Sequence, residues 1–430
     1  MAVAARYKAA KNNPCTSQTA RAQALRLVGQ VKGQRRPIAD TLYGDAAYSA
    51  LASRDRAFVR ALVTQFFRHH HALDAAFAPY LARGLAALSP AALGPLRLGT
   101  VELLAMDGGA PHATLNETVA LAPKSLRPLV NAVLRKMLAD IDGAQARFAA
   151  ALAVPPWLLD AWTAAFGPHR AQEIAAGLRE LPALDLSLKP GVALPQGGLR
   201  LLPHHCRLPV GDPRQIDSFV AGDAWVQDVA ASLPVRLAGQ VTGVSALDVC
   251  AAPGGKTLQL AAAGARVTAL DISARRLDRL QENLERTALT AHLICADALD
   301  FSPSEPFDLV VLDAPCSASG TLRRHPEWPW IHARKGQLAQ VPLQAALLRR
   351  ALAWVKPGGQ VIYAVCSLFP EEGEQQIETL LRDVPQVQLV HAPASARLPQ
   401  TWVSTKGWLR TTPNLKVNMD GFFAAVLRKL

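Results

Sequence analysis

The sequence predicts an all-helical N-terminal domain, a small α+β connecting region and a C-terminal α/β domain built on a parallel sheet. Three observations carry this. From about residue 17 to 140, apolar positions recur at three- and four-residue spacing between proline and glycine breakers. Residues 182–241 change to short apolar runs broken by proline and glycine. From Ser245 onward, short apolar runs alternate with helix-forming stretches, which predicts strands joined by crossover helices on both faces of the sheet.

In the first region the periodic positions are Phe58, Leu62 and Phe66, then Leu96, Thr100, Leu103 and Leu104, then Val130, Val133, Leu134 and Met137. Ser89-Pro90, Gly108-Gly109-Ala110-Pro111 and Pro123 separate the helices, and Asn116 is expected to cap one near Glu117–Leu121. His69-His70-His71 lies on a helix, where adjacent side chains point in different directions, so it is not expected to hold a metal. The net charge of +12 is unevenly spread: residues 1–150 carry 19 Lys and Arg against 9 Asp and Glu, the rest 27 against 25. Arg6, Lys8, Lys11, Arg21, Arg26, Lys32, Arg35 and Arg36 all precede the first acid, Asp40. Such a surface supplies sequence-independent affinity for a phosphate backbone.

Two stretches in this region, P-H-A-T-L-N-E at 111–117 and L-V-N-A-V-L-R-K at 129–136, resemble the NusB-like RNA-binding domains. The resemblance implies an RNA-binding domain over residues 1–142. Residues 143–225 then form a helical linker, opened by Pro155-Pro156-Trp157, and a small insert with strand candidates Leu184–Leu188 and Leu199–Leu202. Residues 226–430 form the C-terminal α/β domain. No stretch approaches the roughly 18 uninterrupted apolar residues needed to span a membrane. The N-terminus lacks the apolar segment of a secretory leader. Six scattered cysteines without C-x-x-C pairs argue for a reducing, cytoplasmic setting and against a structural metal.

The α/β domain opens with S-A-L-D-V-C-A-A-P-G-G-K-T at Ser245–Thr257, an apolar strand, a glycine-rich turn and a helix start. Glycines let a ligand approach the backbone, and the helix N-terminus favours polar or anionic groups. Further strand candidates are Arg266–Leu270, Ala291–Cys295, Leu309–Leu312, Gln360–Val365 and Phe422–Val426. Asp271, Asp297 and Asp313 each lie at or just past a strand end, so a Rossmann-like sheet brings them to one crevice. Any one of them alone reads equally as a helix N-cap. Asp271 follows Gly254 by 17 residues, near the spacing of about 20 at which an acid accepts ribose hydroxyls.

The dinucleotide fingerprint G-x-G-x-x-G is absent, and Gly255-Lys256-Thr257 completes a phosphate-binding P-loop only if residue 250 is glycine, where the chain has Cys250. S-adenosyl-L-methionine fits better. The turn Ala251-Ala252-Pro253-Gly254-Gly255 would carry it, with Asp271 on the ribose, Asp297 on the adenine amino group and Asp313 near the positively charged methionine end.

Asp313-Ala314-Pro315-Cys316-Ser317 and Tyr363-Ala364-Val365-Cys366-Ser367 both follow apolar strands, so each delivers a cysteine to the same edge. Cys250 and Cys295 read instead as small buried residues. Carbon 5 of cytosine is a poor nucleophile until a thiolate adds to carbon 6, which is covalent catalysis and gives such cysteines a purpose. A base must then remove the proton on carbon 5.

Three blocks, L-D-V-C-A-A-P-G-G-K-T, D-A-P-C-S-A-S-G-T-L-R-R-H-P-E and Y-A-V-C-S-L-F-P-E-E-G-E, together with D-G-F-F-A-A-V-L near the C-terminus, resemble the RNA cytosine-5 methyltransferases. With the N-terminal resemblance, the whole chain is similar to enzymes of that family that act on small-subunit ribosomal RNA. The resemblance implies Cys366 as nucleophile and Cys316 as the group assisting product release; the chemistry of the addition leads us to expect a carboxyl at Asp313 against the ring edge of the base. It implies cofactor contacts at Cys250–Lys256, Asp271, Asp297 and Asp313; a monomer without metal is expected. Val365 stands where relatives often have threonine. Arg323 and Arg324, on the loop after Cys316, are expected to hold flanking phosphates or stack on bases, and the target cytosine must leave its stack.

Overall fold

Apolar spacing builds the N-terminal helices as expected. Ser53–Phe77 buries Val59, Leu62, Val63, Phe66, Phe67, Leu73 and Phe77 along one stripe, and Arg127–Ala139 buries Val130, Val133, Leu134 and Met137. The computed structural model describes residues 14–430 except 107–109, 153, 210, 333–337, 392, 394, 395, 397 and 415. Arg6, Lys8, Lys11 and Gly108-Gly109 therefore lie outside the described residues. The chain divides into two units: Met1–Thr163 with His325–Arg334, and Ala164–Arg324 with Lys335–Leu430.

In the first unit the helices Pro14–Gln34, Ser53–Phe77, Pro90–Ala105, Pro111–Leu121, Arg127–Ala139 and Ile141–Ala150 enclose an apolar core. Asn116 does not cap a helix. Pro111 starts that helix at its first position, where a missing N–H costs nothing, and Asn116 falls inside it. The histidines diverge in part: His69 lies against Phe148 with ring centroids 5.0 Å apart, while His70 and His71 lie against Trp330 at 4.0 and 4.9 Å, and His70 Nε2 is 3.3 Å from Lys32 Nζ. The basic run is partly consumed internally. Arg21 is buried against Glu102 and Glu117, and Arg26 pairs with Asp45 at 2.7 Å, whereas Arg35 and Arg36 are exposed.

The second unit holds two sheets. The insert forms a four-stranded sheet of β1 (Leu184–Leu188), β2 (Leu199–Leu202), β3 (His205–Leu208) and β4 (Ala224–Val226), in the order β2-β3-β1-β4. The larger sheet comprises β5 (Ser245–Val249), β6 (Arg266–Asp271), β7 (His292–Cys295), β8 (Phe307–Asp313), β9 (Val355–Val365), β10 (Val387–Val390), β11 (Leu409–Thr411) and β12 (Phe422–Lys429). Its order is β10-β12-β9-β8-β5-β6-β7, with β11 paired to β12.

Five adjacent strands, β9-β8-β5-β6-β7, are parallel, but β12 runs antiparallel to β9, β10 and β11. The sheet is thus mixed where the sequence predicts a parallel one. Strand alternation divides its core: Leu247, Val249, Val310, Leu312, Val361 and Tyr363 pack with Leu347, Leu348, Ile377 and Leu380. Ala246, Leu309, Val311 and Ile362 pack with Val229, Leu233 and Leu260. Among the described residues no helix is long and apolar enough to cross a membrane.

Candidate functional site

The chain runs from β5 outward through β6 to β7, then returns to the other side of β5 as β8. At such a reversal the carboxyl ends of neighbouring strands part into a crevice. Those ends are Val249 on β5, Asp271 on β6, Cys295 on β7, Asp313 on β8 and Val365 on β9. The sheet therefore delivers the glycine-rich turn, the strand-end acids and both Cys-Ser turns to one edge.

Past β5 the backbone turns sharply, with Cys250 at φ 61° and Gly254 at φ 107°. The second value suits glycine, and a Cβ there would also come within 2.2 Å of Leu280. Asp271 anchors the turn: its carboxylate accepts from Ala252 N at 3.1 Å and Ser273 N at 3.0 Å. Each carboxylate oxygen has a further lone pair, so Asp271 retains acceptor capacity for a diol. Asp297 is exposed and accepts from Leu299 N at 2.9 Å, so it caps a turn as well as presenting a carboxylate. Asp313 Oδ2 lies 2.6 Å from Lys256 Nζ and keeps 32% of its side chain exposed. Burial works against the Lys256 charge. Asp313, helped by Asp248 and Cys366, outweighs it and pushes the ammonium above its usual range.

Below the turn Asp248 is buried, accepting from Thr257 Oγ1 at 2.6 Å through one oxygen while the other has no hydrogen-bond partner. Burial pushes its carboxyl up to about 7, and burial likewise pushes the Cys250 thiol up to about 12. Cys250 is a half-buried packing residue, but Cys295 is exposed, because β7 is the edge strand. A glycine cradle whose Cβ positions are crowded, a backbone-tied acid with spare acceptor capacity and two further reachable carboxylates fit a cationic nucleoside donor.

Cys316 and Cys366 meet, with their Sγ atoms 3.5 Å apart. The Cys316 turn is fixed by Ala318 N donating to Cys316 Sγ at 3.4 Å and by Gly320 N donating to the Cys366 carbonyl at 3.0 Å. Gly320 sits so close to the Gly421 carbonyl that a Cβ would lie 2.0 Å from its oxygen. Cys316 stays protonated: its hydrogen bond to Cys366, then burial, then the charges of Cys366 and Glu372 push its thiol well above the ordinary range.

Arg323 is turned into the protein rather than toward solvent. Its side chain is fully buried, and it donates to Asp420 Oδ1 at 2.7 Å and Asp228 Oδ2 at 3.1 Å. Arg324 is tied to the same acids at 2.8 and 2.7 Å and keeps 30% of its side chain exposed. Both guanidiniums neutralise buried carboxylates. Sequence reasoning passed over Glu372, which receives both Cys-Ser turns. Its only signal is an acid in P-E-E-G-E shortly after Cys366.

A family model described as 16S rRNA methyltransferase RsmB/F matches residues 237–428, and the NusB family model matches residues 18–139. The ribosomal RNA small subunit methyltransferase B of Vibrio cholerae is 33% identical over 345 residues, covering 74% of this chain and 77% of the relative. That of Klebsiella pneumoniae is 33% identical over 345 residues, covering 74% and 78%. Among solved structures, one described as PH0851 superposes with a TM-score of 0.70 at 21% identity, covering 98% of this chain and all of the other. NSun6 from Pyrococcus horikoshii with SFG gives 0.55 at 18% identity, covering 64% and 98%. These two likenesses establish the fold.

Proposed function

The chain belongs to the RsmB/F family of 16S rRNA methyltransferases, and from that premise we propose that it methylates carbon 5 of a cytosine in small-subunit ribosomal RNA through a covalent adduct at Cys366. The observation that carries this reading is the 3.5 Å approach of two cysteines on neighbouring strand-end turns beside the donor crevice. S-adenosylmethionine, the methyl donor of this enzyme, supplies an electrophilic methyl group when bound.

Cys250–Lys256, Asp271, Asp297 and Asp313 would hold the donor. The buried Lys256 ammonium, which interacts with Cys366, places positive charge on that side. Cys366 Sγ adds to carbon 6, and the electron pair displaced into the ring makes carbon 5 nucleophilic. The Lys256–Asp313 pair lines the approach, with Asp313 accessible to the ring edge of the base. Once carbon 5 is methylated, Cys316, having released its own proton to water, accepts the carbon 5 proton as a thiolate, the carbon 6–sulfur pair returns to Cys366, and the base leaves.

Methylation assays on ribosomal RNA test the roles separately. Cys366→Ala should lose activity by at least about 10³-fold, and retained activity would remove Cys366 as nucleophile. Cys316→Ala should accumulate a denaturant-resistant protein–RNA adduct. Absence of that adduct, with Cys366 intact and reactive, would remove the release role.

A further inference from the structure

Glu372 lies six residues beyond Cys366, is fully buried, and receives four hydrogen bonds. Ser317 N and Gln344 Nε2 donate to Oε1 at 2.8 and 3.0 Å, and the Ser317 and Ser367 hydroxyls donate to Oε2. A set composed only of donors suits an ionised carboxylate. Ser317 and Ser367 directly follow the two cysteines, so one buried group clamps both turns from behind. Tyr363 Oη donates to the Glu372 carbonyl at 2.6 Å and fixes its backbone.

We propose that Glu372 is a positioning residue that locks the two cysteine turns together and keeps negative charge behind Cys316, the sulfur that takes up the carbon 5 proton. The proposal rests on the two-cysteine reading above. Around Cys316 the titratable groups are Cys366, Glu372 and Tyr363. Lys256, paired with Asp313, is on the Cys366 side, and Arg410 pairs with Glu374 while donating to the Ser367 carbonyl. Negative charge thus faces Cys316 from Glu372, and positive charge faces Cys366 from Lys256.

This asymmetry orders the proton steps. Cys366 gives its proton to water and attacks carbon 6 while Cys316 remains a thiol. Bonding to carbon 6 removes the negative charge beside Cys316, which can then release its own proton to water. The basic Cys316 thiolate next takes the proton from carbon 5 as the carbon 6–sulfur electron pair returns to Cys366. Cys366 departs with the carbon 6–sulfur pair and takes a proton back from water, while Cys316 keeps the carbon 5 proton, so both sulfurs end as the thiols they began as.

The test uses the full chain. In a Cys366→Ala background, the pH dependence of Cys316 alkylation by iodoacetamide, followed by peptide mass, gives the midpoint of that thiol. Adding Glu372→Gln should lower this midpoint by about one pH unit or more, and Glu372→Asp, which keeps the charge, should restore most of it. With both cysteines present, Glu372→Gln should slow methyl transfer about tenfold to a hundredfold with an unchanged KM for S-adenosylmethionine. An unmoved midpoint with unchanged turnover overturns the proposal. Should Glu372→Gln fail to bind the donor, Ser317→Ala decides: slower transfer with an unmoved Cys316 midpoint supports the clamp, and an unchanged rate overturns it. Full activity of both Cys→Ala variants would defeat the two-cysteine reading itself, an outcome distinct from cysteine dependence without Glu372 dependence.

Discussion

At the scale of single residues, Asp248 gives a sharp expectation. It is a fully buried acid beneath the glycine-rich turn whose carboxyl is pushed up to about 7 by burial, despite the hydrogen bond from Thr257. Between about pH 4 and 7 the folded protein keeps this proton while the unfolded chain has lost it. The favourable contribution of the protonated group is therefore full below about pH 4 and declines as pH rises to about 7. The slope approaches about 1.4 kcal/mol per pH unit as an upper bound. Asp248→Asn should flatten that decline, as checked by denaturant midpoints measured from pH 5 to 7.5. A parallel decline in both proteins would assign it to other groups. The acids at 271, 297 and 313 were legible in the sequence because strand-end carboxylates have a positional signature. Asp248 and Glu372 were not, because what makes them unusual is the burial and donors supplied by distant segments.

At the scale of elements, the loop after Cys316 is held by charge. Arg323 and Arg324 span Asp228, which also caps the helix Val229–Arg236 through Ala230 N at 2.9 Å, and Asp420, just before β12. Removing one partner from such a buried set strands the opposite charges. Arg323→Ala should therefore cost about 3–5 kcal/mol, and Arg324→Ala less, since part of Arg324 reaches solvent. Chemical denaturation measures both. Unchanged stability with weakened RNA affinity would return Arg323 to the RNA-contact role. In sequence this R-R pair reads as a loop that contacts RNA, since its acidic partners lie almost a hundred residues away on either side. The strands themselves were legible from their apolar runs. The antiparallel course of β12 was not, because it depends on a return from β11 that contains no crossover helix.

At the scale of the whole chain, the charge asymmetry survives once the internal pairs are set aside. Arg21 and Arg26 are engaged by Glu102, Glu117 and Asp45, and Lys32 by the His70–Trp330 cluster. Lys124, Arg135 and Lys136, on and just before the helix Arg127–Ala139, remain exposed on the unit matched by the NusB family model. Charge that is solvated in the free protein can release counterions from RNA, whereas buried, paired charge cannot. The triple substitution of these residues by Gln should therefore weaken binding to ribosomal RNA and reduce the slope of log K against log salt by about 0.7–0.9 for each phosphate no longer neutralised. Methyl transfer within the bound complex should persist, because none of the three belongs to the crevice. Binding titrations across a salt series, paired with single-turnover methylation, separate the two effects. An unchanged slope would place the polyanion-binding surface on other residues.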